Sequence, residues 1–134
     1  MQVRELRIGN YIQDINHPER ICRVFRLTSG IDFTITYHYG RSCEESYAKA
    51  SQDIFIQPIP LTEEWLVKFG FEDGPSKGGF ALTKNKLSIH LPDISYPQGR
   101  TYFNSWCIID HSVKYVHQLQ NLYFSLTGEE LTIK

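Results

Sequence analysis

The segment Pro58-Ile59-Pro60 constrains the fold of this chain more than any other. Proline fixes φ and has no N–H to give a ladder, so two prolines around one residue suit neither a central strand nor a helix interior. The segment predicts a stiff connector, and the hydrophobic pattern changes period across it. Before it the chain alternates. Over residues 32–39, Phe33, Ile35, Tyr37 and Tyr39 fall on one side and Thr34, Thr36 and His38 on the other. That is the period of two of a strand. After the connector the spacing becomes helical.

Four further stretches before the connector read as short strands: 10–13, 21–27, 47–50 and 54–57. Turn signals separate them at Asn16-His17-Pro18, Thr28-Ser29-Gly30 and Gly40. So many short strands in so little chain predict a small SH3-like barrel over residues 1–57, because closure removes exposed strand edges.

Residues 58–61 are the connector, and 62–134 read as an α+β unit. Its first helix is punctuated clearly. Thr62 is an N-cap, and Glu63 and Glu64 suit the positive end of the helix dipole. Leu61 and Leu66 have hydrophobic-staple spacing. Gly70 is the expected C′ residue, with Phe71 packing back on Leu66. Strands follow near 80–83 and 87–91, joined by a turn at Asn85-Lys86. After a loop over 92–99, residues 102–109 return to the sheet.

The last element is a helix ended by Gly128. At about 100° per residue, Tyr115, Val116, Leu119, Leu122, Tyr123 and Leu126 share one arc. Leu119, Leu122, Tyr123 and Leu126 are expected in the core of the C-terminal unit. His117, Gln118, Gln120, Asn121 and Ser125 cover the opposite arc, and Phe124 lies among them. A bulky aromatic in a polar arc asks for a cover. The fold class expected is α+β, mostly β: an SH3-like barrel, then a short antiparallel sheet with two helices.

Charge narrows the function. Lys and Arg number 14 and Asp and Glu 15, and the balance holds on both sides of the connector. A protein built to neutralise phosphates usually carries a basic surplus. The start, MQVRELRIGN, has no apolar signal core, and no run approaches the roughly 18 apolar residues of a membrane span. Cys22, Cys43 and Cys107 are odd in number and far apart, which predicts reduced, mostly buried thiols and a cytoplasmic protein.

Catalytic and metal chemistry find little support. Asp110 and His111 are adjacent, so on a strand they point to opposite faces and form no dyad. His38, Cys43, Cys107, His111 and His117 contain no CxxC or HxxxH pair, the close spacing that zinc sites normally show. No GxSxG elbow is present, and Gly78-Gly79 is not followed by the helix of a phosphate loop. The expectation is no catalytic residue, no cofactor and no metal. Two groups pair aromatics with arginine, the chemistry that stacks bases and holds phosphates. They are Tyr37, Tyr39 and Arg41, and Tyr96, Arg100, Tyr102 and Phe103.

Three stretches carry a resemblance: RIGN at 7–10, PIPLTEEWLVKFGF at 58–71 and YVHQLQNLYFSLTGEEL at 115–131. Together they resemble a group of small uncharacterised proteins encoded in phages and prophages of gut anaerobic bacteria. Residues 72–114 carry none of it. The resemblance implies a mobile-element setting and a cytoplasmic product, with no activity and no functional residues to transfer. The function expected is a non-enzymatic accessory or assembly protein acting by protein–protein contact or self-association. Its candidate surface is His117, Gln120, Asn121 and Phe124. The alternatives are a nucleic-acid-binding module and, third, a small enzyme.

Overall fold

The computed structural model describes residues 6–15, 17–28, 34–39, 47–50, 56–73, 81–94, 97–104, 106–109 and 111–133. The strands before Pro58 form one five-stranded antiparallel sheet, and those after it form another. By contacts the chain divides into two units: Met1–Ile59 with Tyr115–Asn121, and Pro60–Lys114 with Leu122–Lys134.

The first sheet contains β1 (Tyr11–Asp14), β2 (His17–Thr28), β3 (Thr34–Tyr39), β4 (Tyr47–Ala50) and β5 (Ile56–Gln57). Its order is β4-β3-β2-β1-β5. His17 and Pro18, where the sequence suggests a break, already belong to β2, with His17 opposite Asp14, so β2 begins earlier than its apolar run suggests. Among the described residues β4 and β5 are the edges and do not pair, so the sheet is open where the sequence suggests a closed barrel. Ile12 and Cys22 are opposite one another and fully buried, and Val24 joins them on the same face. Leu6, Tyr11, Ile59, Val116 and Leu119 are the other buried apolar residues of this unit among those described.

The second unit opens with α1 (Glu63–Lys68). Local sequence explains both its ends. Thr62 is extended at its N-cap and its Oγ1 accepts from Trp65 N at 3.4 Å. At the other end Gly70 takes φ of 88°. Gly70 N donates to Val67 O, and Phe71 N to Leu66 O, both at 2.9 Å. This is the Schellman pattern, which satisfies carbonyls that the helix leaves open. Lys84 Nζ donates to Phe69 O at 2.6 Å, placing a cation at the negative end of the helix.

The second sheet runs β10-β9-β8-β7-β6. Its strands are β6 (Glu72–Asp73), β7 (Ala81–Lys84), β8 (Leu87–His90), β9 (Arg100–Phe103) and β10 (Trp106–Ile109). Asn85 and Lys86 both have positive φ, 46° and 71°, and form a two-residue hairpin turn. The return to the sheet expected over 102–109 takes the form of the β9–β10 hairpin. Asn104 turns the chain with φ of 54°, and its N–H donates to Lys86 O at 3.0 Å. Among the described residues, Trp65, Leu66, Phe69, Phe71, Ala81, Leu82, Leu87, Ile89, Val113, Tyr123 and Leu131 are the buried apolar residues of this unit.

Helix α2 (Val116–Thr127) has residues in both units. Leu119 and Tyr123 are buried as the wheel suggests, but Leu119 groups with the first unit, and Leu122 and Leu126 are only half-buried. The reason lies in what the other face of the helix touches.

Candidate interaction surface

The polar arc of α2 is a solvent face only in part: Ser125 is exposed. His117 and Gln120 are fully buried, so neither belongs to the surface that the sequence suggests for them. Asn121 is half-buried, and Phe124 alone of the four is exposed, at 39%. The burial of Gln120 follows from the backbone of the turn at residues 7–10. Asn10 N donates to Arg7 O at 3.1 Å, and Asn10 Oδ1 accepts from Arg7 N at 2.6 Å. Gly9 N then reaches Val24 O, and Val24 N reaches Asn10 O, extending the β1–β2 ladder. The other edge of the turn remains to be satisfied, and Gln120 does so. Its Oε1 accepts from Tyr11 N at 2.8 Å and its Nε2 donates to Gly9 O at 3.0 Å. One carboxamide thus stands in for one residue of an adjacent strand.

Asn121 extends the network, its Oδ1 accepting from Asn10 Nδ2 at 3.0 Å and from Arg7 Nη1 at 3.2 Å. Val116 N also donates to Ile59 O at 2.9 Å. The turn at residues 7–10 and the Ile59 carbonyl therefore both bond to α2, the first through the Gln120 and Asn121 side chains and the second through Val116 N. That is an architectural role for the turn at residues 7–10 and for Gln120 and Asn121.

The nucleic-acid candidates separate. Tyr37 and Tyr39 lie in β3, opposite Val24 and Cys22, while Arg41 and Tyr96 lie outside the described residues. Arg100 and Tyr102 alternate on β9 opposite His90 and Ser88, and both are half-buried. Phe103 pairs with Leu87, on the other face.

That other face leads to the residue the sequence reading passed over. Directly opposed residues of antiparallel strands share a face. Leu87, Phe103 and Trp106 are opposed in turn across β8, β9 and β10. Leu87 is fully buried, Phe103 half-buried and Trp106 76% exposed. The core-facing row of this sheet runs out from under its cover at β10. β10 is also an edge strand, its sequence WCII has no charge, and Ile108 beside the bulge is exposed. Edges are usually blunted by charge, proline or a bulge, and here the bulge is the device present. The signal for this arrangement is Asn104, a turn former inside an apolar run, where the chain turns with positive φ between β9 and the edge strand β10.

Cys22 is buried and Cys107 exposed, so Cys107 departs from the expected buried thiol, and Cys43 lies outside the described residues. Among the described residues no three His, Cys, Asp or Glu side chains come together as a metal cluster. His90 Nε2 lies 2.8 Å from Asp93 Oδ2, an ion pair when the imidazole is protonated. Asp110 is outside the described residues, and His111 Nδ1 is engaged with the neighbouring Ser112 carbonyl at 2.9 Å. No helix among the described residues is long and apolar enough to cross a membrane.

No protein-family model, no curated protein and no solved structure matches this chain.

Proposed function

We propose that this chain is a non-enzymatic, cytoplasmic accessory or assembly protein of a phage or mobile element, acting by protein–protein contact. The observation that carries the reading is the exposure of Trp106 on a row whose inner members are core residues. A tryptophan left in water at 76% forgoes a large burial, which a partner surface recovers, and interfaces are enriched in such anchors. The partner contact thus moves from α2, where the sequence places it, to the β9–β10 hairpin. Phe124 remains from the original set.

The test is sedimentation velocity of the protein alone, and mixed with the products of genes flanking its own, repeated with Trp106→Ser. A complex of defined stoichiometry that the variant loses, with its circular dichroism unchanged, supports the reading. Association that is indifferent to Trp106, or none at all, overturns it.

Within this reading the first unit is an SH3-like fold. The strand order β4-β3-β2-β1-β5, in which the first strand pairs with both the second and the last, supports it, as does the twelve-residue β2 with a register shift between Val24 and Arg26.

A nucleic-acid-binding module is the second reading. It is favoured by Arg100 and Tyr102, which share one face of β9, the face away from Leu87 and Ile89. Fluorescence anisotropy with labelled single-stranded DNA and RNA tests it. Binding that weakens with salt and is lost in Tyr102→Ala would favour it over the first reading.

A further inference from the structure

We draw no further inference here: the strongest candidate, the apolar edge of the second sheet at Trp106 and Ile108 on β10, already carries the reading above, and nothing in the structure shows what covers it.

Discussion

Gln120 and Gly9 are 111 residues apart in the chain, and the Gln120 carboxamide donates to the Gly9 carbonyl at 3.0 Å. The same carboxamide accepts from Tyr11 N at 2.8 Å. Both atoms of the side chain are committed to the backbone of one turn. A buried amide in that position is sensitive to any change that removes one partner and leaves the other, because the stranded group bears its full desolvation cost.

Gln120→Ala removes both partners of the turn at once. Each stranded backbone group costs about 1–3 kcal/mol, so the variant is expected to lose roughly 3 kcal/mol in urea denaturation. Gln120→Glu is expected to lose at least as much at neutral pH, because an oxygen then faces Gly9 O. Gln118→Ala, two residues away and half-buried, is the control and should change stability by less than about 1 kcal/mol. Equal effects of Gln118→Ala and Gln120→Ala would contradict the role assigned to Gln120.

The first unit draws residues from both ends of the chain, and Val116 and Leu119 are fully buried members of it. A fragment of residues 1–60 lacks these two side chains and Gln120. It is expected to show no cooperative thermal transition. Adding a peptide of residues 112–134 in trans should restore strand dichroism at excess peptide. A fragment that melts cooperatively alone would show that the first sheet does not need α2.

The two tryptophans report opposite environments: Trp65 is buried beside Phe69, with ring centroids 5.5 Å apart, and Trp106 is 76% exposed. Trp106→Phe should leave a blue-shifted emission that acrylamide quenches poorly. Trp65→Phe should leave a red-shifted emission quenched several-fold more strongly. At high protein concentration, or with a partner bound, the second emission should move to the blue. Equal quenching of the two variants in the dilute protein would contradict the exposure of β10.

Gly99 and Gly128 separate conformation from space. Both have positive φ, 67° and 76°, where an added Cβ costs about 1–2 kcal/mol. Around Gly128 a Cβ would meet nothing within 4 Å. At Gly99 it would press on His90 O and stand 2.8 Å from Ser112 Cβ. Gly128→Ala should therefore lower stability by about 1 kcal/mol, and Gly99→Ala by at least twice as much. Thermal melts of the two variants decide it, and similar losses would refute the close approach at Gly99.

Much of the local structure was legible in the chain. Thr62, Gly70 and Phe71 specify the ends of α1 through bonds that span only a few residues. Asn85 suits the first left-handed position of its hairpin turn, and the apolar alternation on either side of Asn85-Lys86 marks the two arms. The alternation over residues 32–39 marks β3. These features depend on neighbours in sequence, so the sequence alone determines them.

The surfaces were decided elsewhere. A helical wheel ranks faces by hydropathy, and it placed His117 and Gln120 in water, where the structure buries them. The reason is that the turn at residues 7–10 presents a carbonyl and an N–H at depth, and only a polar side chain satisfies both. Trp106 is the opposite case: an apolar residue paired with half-buried Phe103 is exposed, because burial depends on how far the cover extends across a sheet. Neither the depth of a backbone group nor the reach of a cover is written in any stretch of sequence. Both arise when segments more than a hundred residues apart are brought together, and only the tertiary structure does that.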